Sequence, residues 1–332
     1  MSTAPILVFQ TEVGDTQETS VTTAAQALWS VTTTLLEELE LAIPSLRLVV
    51  TRDVMTAADV EGVRLGLGKD RRVGSERLGG VVAGKTLSDE AGEHATVIIS
   101  ADVAGGDGDL ALVWSWGTIA HELGHVVYGS ARDRYVQRIE NCWLPWDVAE
   151  VLAILAAEEY RVDRIGHSLI NRVLNLNSDE QRPFDFRAFF DGQYLSALPA
   201  ALDAVLAGIT DVTRAYRWHE RGLEDMWAHV VMVTERMLLL LAHAQTHEDV
   251  GTSVLDCVRD HPAAGLVRPV WDPLFAYLAT SPVVPKAFDW PADRDKLKAL
   301  GREPVLAFWS KFGLQPDPLD DGFYLQVGQP TV

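Results

Sequence analysis

The stretch Thr118-Ile119-Ala120-His121-Glu122-Leu123-Gly124-His125-Val126-Val127-Tyr128 decides how the rest of the chain is read. It contains His-Glu-x-x-His, and Ile119, Leu123, Val126 and Val127 give it the apolar flanks of a helix buried under a site. Residues four apart on a helix stand one above the other, so His121 and His125 offer two imidazoles to a single metal ion. Glu122 is turned away by one residue, which lets its carboxylate reach a water on the ion rather than the ion itself. Zinc in such a site lowers the pKa of its water toward ~7, and Glu122 is the base that takes the proton as a carbonyl is attacked. The pattern therefore leads us to expect one Zn2+ per chain and cleavage of peptide bonds, with Glu122 catalytic.

A hydrolytic zinc site needs three protein ligands and an open fourth position. The extended form with a further x-x-G-x-x-His is absent, because Val126, Val127, Tyr128, Gly129, Ser130 and Ala131 follow His125. Downstream, Ala156-Ala157-Glu158-Glu159-Tyr160-Arg161-Val162-Asp163 offers Glu159 with Asp163 four residues on. These two carboxylates share a helix face; one would ligate the ion while the other holds an imidazole N–H and fixes its tautomer.

HELGH followed by Glu-x-x-x-Asp on a second helix resembles the gluzincin branch of the zincin metallopeptidases. Glu-Tyr-Arg-Val-Asp (159–163) is similar to the third-ligand segment of the Ste24/HtpX-like peptidases, and the strand before HELGH resembles the soluble ImmA/IrrE-like peptidases. The resemblance implies that His121, His125 and Glu159 are the metal ligands, Glu122 the base, and Asp163 a residue supporting a ligand. It spans two patches, 96–129 and 156–166, and the membrane helices of the HtpX-like group are missing. Glu158 and Glu150 are alternative ligands, but Val162 and Ile154 stand where each would need its acidic partner. The plainer alternative for Glu159 is a solvated charge paired with Arg161 or Arg164.

Around these patches the pattern is α+β. Thr22 to Glu40 reads as a helix ending before Pro44; Leu46–Thr51, Gly80–Thr86 and Thr96–Ser100 read as short strands; a helix from about Asp109 to Tyr128 stops at Gly129. From Trp146 onward strand signals nearly vanish. Helices are expected over Asp147–Leu174, Ala188–Leu206, Asp211–His247, Val254–Asp260, Trp271–Ala279 and Ala292–Phe312, with prolines between several of them. The expected organisation is a zincin-like core over 1–175 followed by a mainly helical region over 176–332, packed on that core. A transition-state oxyanion wants a further donor; His219, His229, Tyr216 and Arg221 on the later helices could serve, and none of them is singled out.

Composition sets bounds. Apolar residues make up 48% and charged residues 23%, ordinary for a soluble globular protein. A net charge of −19, from 47 acidic and 28 basic residues, repels phosphate backbones and anionic headgroups, so neither nucleic acid nor a membrane surface is expected as a partner. The basic run Lys69-Asp70-Arg71-Arg72 is too short to reverse this. Cys142 and Cys257 make no disulfide framework and no Cys-x-x-Cys. Met1-Ser2-Thr3-Ala4-Pro5 lacks the start of a secretory signal, and the apolar run Met237–Ala244 falls short of the ~20 residues a span needs. A cytoplasmic location and a peptide or protein substrate are the expectation.

One motif competes. Gly79-Gly80-Val81-Val82-Ala83-Gly84-Lys85-Thr86 satisfies the G-x-x-x-x-G-K-[ST] pattern of a phosphate loop. No buried strand precedes it and only a short, poor helix pattern follows, so it reads better as a strand against whose edge an extended substrate lies. The alternatives to a peptidase are a zincin scaffold kept as an interaction or regulatory module, and a nucleotide-binding protein using Gly79–Thr86.

Overall fold

The computed structural model describes residues 6–9, 33, 45–67, 76–77, 80–81, 84–89, 93–104, 109–131, 144–175, 185–248, 251–286, 289–319 and 322–331. The basic run 69–72, Cys142 and, apart from Thr33, the helix expected over Thr22–Glu40 lie outside them. The fold is mixed α+β and mostly helical. Contacts divide the chain into two compact units, Met1–Arg134 with Arg161–Phe186, and Tyr135–Tyr160 with Arg187–Val332.

The first unit is built on a four-stranded sheet. Strands β1 (Ile6–Phe9), β2 (Ser45–Thr51) and β6 (His94–Ser100) run parallel, and β5 (Gly84–Ser88) closes the sheet antiparallel to β6, in the order β1-β2-β6-β5. Leu46, Leu48, Val49 and Val50 on β2 and Val97, Ile98 and Ile99 on β6 are all buried, as strands covered on both faces require. Helix α1 (Val54–Arg64) starts at Asp53, whose carboxylate accepts from the N–H of Thr56 at 2.9 Å. It packs Val54, Ala57 and Ala58 against Val49, Ile98 and Leu87. The short pair β3 (Glu76–Arg77) and β4 (Gly80–Val81) lies between β2 and β5 in sequence.

Gly80–Thr86, expected as one strand, is therefore divided between β4 and β5, and Lys85 and Thr86 sit within a strand rather than at a helix N-terminus. The geometry that cradles phosphate is missing at these two residues. After the short helix α2 (Ala101–Ala104) comes α3 (Asp109–Ala131), which packs on β5 and β6. It continues past Gly129, because one helical glycine costs only about 1 kcal/mol and does not by itself stop a helix.

Helix α4 (Pro145–Asn175) runs unbroken through the division between the units. In the second unit its first half is joined by α5 (Phe186–Arg217), α6 (Leu223–Gln245), a single turn at Val254–Asp256, α7 (Pro262–Thr280) and α8 (Trp290–Lys311). The break expected near Gly208 falls instead at residues 218–222. Gly208 stays helical with its Cα toward His229 and Val233 of α6. Pro262 opens α7, as a residue without an N–H can. The core of this unit includes Trp271 and Trp309, whose indole N–H groups donate to Gln245 Oε1 (3.2 Å) and Thr234 Oγ1 (2.9 Å). Leu195–Arg217 is long and apolar enough to cross a membrane by length and composition alone. It buries Leu198, Leu202, Val205, Ile209 and Val212 within its unit, and its Asp203 carboxylate lies 3.3 Å from His261 Nε2.

A correction concerns the C-terminal part, read from sequence as helical. Gly313, at φ +79°, turns the chain out of α8 into a hairpin of β7 (Leu314–Leu319) and β8 (Gly322–Val327). Two prolines within Leu314–Leu319 hide the strand, since proline argues against a strand except at an edge.

A buried ion cluster ties α1 to the sheet. Glu61, 1% exposed, accepts from Arg64 Nε at 2.6 Å, Thr96 Oγ1 at 3.0 Å and Arg47 Nη2 at 3.2 Å. Burial by itself would raise its pKa, but the hydrogen bonds from Arg64 and Thr96 and the charges of Arg64 and Arg47 outweigh it, and the carboxyl is held below its ordinary value. A depressed folded-state pKa contributes stability that is complete above the unfolded value and fades as pH falls through the folded one. Denaturant midpoints measured from pH 7 down to pH 3 should therefore fall less for Glu61→Gln than for the wild type, from a lower starting point; parallel curves would refute this.

Candidate active site

Two glycines set the distance between α3 and α4. A Cβ on Gly124 would lie 2.8 Å from the carbonyl oxygen of Val162, and one on Gly166 would lie 3.1 Å from the backbone nitrogen of His121. At both places the helices touch backbone to backbone, which only glycine permits. Buried Arg161 crosses the same seam and donates to the hydroxyl of Tyr128 at 3.2 Å.

This close approach brings Asp163 to His121. Oδ1 of Asp163 lies 2.6 Å from Nδ1 of His121, within charge-assisted hydrogen-bond distance. With the carboxylate ionised, Nδ1 carries the proton and Nε2 is left as a lone-pair donor, the arrangement that orients a metal-binding imidazole. His125 stands one turn further along α3, its ring 4.9 Å from that of His121 and nearly perpendicular to it. Glu159 precedes Asp163 by one turn on the same uninterrupted helix, so helix geometry carries its carboxylate toward the same pair. Donor atoms of His121, His125 and Glu159 lie within 4.8 Å of one another.

Glu159 is 8% exposed, so it is not the solvated charge of the plainer reading. Glu158 is only half-buried. Glu150 is engaged elsewhere, by Lys298 at 3.4 Å and by Arg302. The donor set of two imidazoles and one carboxylate, with the second nitrogen of one imidazole already fixed, suits zinc.

Glu122 is 3% exposed and lies on the side of α3 that meets the sheet, where Thr86 Oγ1 is 2.7 Å from its Oε2. The carboxylate that follows the first histidine is thus held by strand β5.

The candidates for an oxyanion donor, Tyr216, His219, Arg221 and His229, all belong to the second unit. His219 is exposed at φ +59° on the turn after α5, and Arg221 is exposed beside it. His229 faces Gly208; burial, then Arg221 and Arg236, hold its pKa below the ordinary histidine value. The histidine that sequence reasoning passed over is His243 on α6, whose Nε2 lies 3.6 Å from Oε2 of Glu159. Its only sequence signal is a histidine among the alanines and leucines of a buried helix face, a position that is more often core than site.

No family model, no curated protein and no solved structure matches this chain.

If the glycine seam positions the site, Gly124→Ala should destabilise the protein by about 1–3 kcal/mol, the cost of overpacking a closed contact. Gly251, with open space where a Cβ would go, should accept alanine with a far smaller change. Chemical denaturation of the two variants makes the comparison, and equal midpoints would contradict the seam.

Proposed function

We propose that the chain is a zinc-dependent peptidase of the zincin type, with His121, His125 and Glu159 holding one ion and Glu122 acting as general base. What carries the reading is the convergence of those three donor groups within 4.8 Å, beside a buried glutamate that directly follows the first histidine. A bound zinc supplies Lewis acidity, acidifying a water and polarising a carbonyl. The chain's own residues do the rest. Asp163 keeps the proton on Nδ1 of His121, so that Nε2 remains the ligand atom. Glu122 takes a proton from the attacking water and passes it to the departing amine nitrogen; the C–N bond breaks, leaving a carboxylate and an amine.

Substrate presentation follows from the sheet. Among the described residues β5 is the last strand of its sheet, and the side it does not share with β6 offers backbone N–H and C=O groups to an extended peptide by strand addition. A peptide substrate in the cytoplasm, without nucleic acid or membrane, fits this reading and the net charge of −19.

Purified protein should carry about one zinc per chain by elemental analysis. Glu122→Gln should keep the metal and lose hydrolysis of a mixed peptide pool, whereas His121→Ala should lose both. Hydrolysis surviving in Glu122→Gln would remove this mechanism, and metal with no hydrolysis in the wild type would favour a binding module instead. Glu159→Ala should weaken zinc binding more than Glu158→Ala; the opposite order moves the third ligand.

A further inference from the structure

Gly84-Lys85-Thr86, which matches the end of a phosphate-loop pattern, lies within strand β5. Residues two apart on a strand share a face, so Gly84 and Thr86 point the same way and Lys85 the other. The face they share is the one against Glu122. A Cβ on Gly84 would lie 2.9 Å from Oε1 of Glu122, 3.0 Å from its Cγ and 2.9 Å from Cγ2 of Thr118. The space a side chain would fill at residue 84 is taken by the glutamate. Two residues on, Thr86 Oγ1 lies 2.7 Å from Glu122 Oε2 and 2.9 Å from the backbone oxygen of the same residue.

We propose that Gly84 and Thr86 form a seat that positions the Glu122 carboxylate, Gly84 by leaving room for it and Thr86 by hydrogen bonding to it. The proposal builds on the role given to Glu122 above and makes Thr86 a positioning residue for that same site. A hydroxyl carries one hydrogen, so the two contacts of Thr86 are alternatives. Turned toward Oε2, it donates to a carboxylate; turned toward the backbone oxygen, it presents lone pairs to the same Oε2. The seat thus keeps a partner for the carboxyl group with or without its proton. A glutamate side chain has three rotatable bonds, and a buried one without a fixed partner loses both a hydrogen bond and its aim at the reacting water. The strand that would present substrate is in this way the same strand that aims the base, so the distance between peptide and base is set within one element.

The test has two arms. In the first, kinetics on a cleaved peptide compare Thr86→Val, which keeps shape and loses the hydroxyl, with Thr86→Ser, which keeps the hydroxyl. The expected result is a kcat about tenfold lower for Thr86→Val at unchanged KM and unchanged zinc content, with Thr86→Ser restoring most of it. Equal losses in both variants, or a change confined to KM, would overturn the proposal. The second arm needs no activity: denaturant midpoints of metal-free protein are compared for Thr86→Val in the wild-type and Glu122→Ala backgrounds. The shift should be clearly smaller without the glutamate, though not zero, because the bond to the backbone oxygen persists. Equal shifts mean that Thr86 does not hold the carboxylate, whatever the chain hydrolyses. A protein that cleaves no peptide but shows the smaller shift would lose the peptidase reading and keep the seat.

Discussion

The closest constraint in the first unit is steric: α3 and α4 meet where neither Gly124 nor Gly166 can carry a side chain. Ordinary helix pairs stand 8–10 Å apart, with side chains filling the gap. Here the gap is closed by backbone on both sides of the crossing, which lets a short aspartate on one helix reach the imidazole of the other at 2.6 Å. A longer separation would have left His121 without its partner and free to choose either tautomer. The seam therefore links packing to chemistry directly. It also explains why a buried arginine, Arg161, is tolerated beside it: its guanidinium crosses to Tyr128 instead of entering an apolar core alone.

Helix α3 is held from two directions in this unit. On one side α4 supplies Asp163 to His121. On another, β5 presents Gly84 and Thr86 to Glu122. Successive residues on a helix are rotated by about 100°, so neighbours in sequence can answer to different elements. The histidine and the glutamate that follows it have separate supports, each rigid because it belongs to a strand or a long helix rather than a loop. Such division lets the geometry of the imidazole and that of the carboxylate be set independently.

Electrostatics follow the same economy of partners. The chain carries a large negative charge, yet three of its buried carboxylates each have a basic side chain beside them: Glu61 has Arg47 and Arg64, Glu150 has Lys298 and Arg302, and Asp163 has His121. A buried carboxylate without a cation or donors would take up a proton or unfold its surroundings.

Much of the candidate site was legible from the chain because helix periodicity is local. His121 and His125 on one face, Glu122 beside them, and Glu159 with Asp163 a turn apart all follow from spacing, and both long helices formed where the apolar pattern put them. The strands Leu46–Thr51 and Thr96–Ser100 were readable for a similar reason, being short β-branched runs with clear limits. What the sequence could not supply were contacts between elements distant along it. The hairpin after Gly313 was hidden by its prolines, and β1 by being only four apolar residues long. His243 looked like any histidine on an apolar helix face, and Thr86 looked like part of a different motif. Local spacing decides which side chains share a face; only the tertiary packing decides which faces meet, because a hydrogen bond between residues 86 and 122 depends on a sheet edge and a helix coming together across 36 positions of chain.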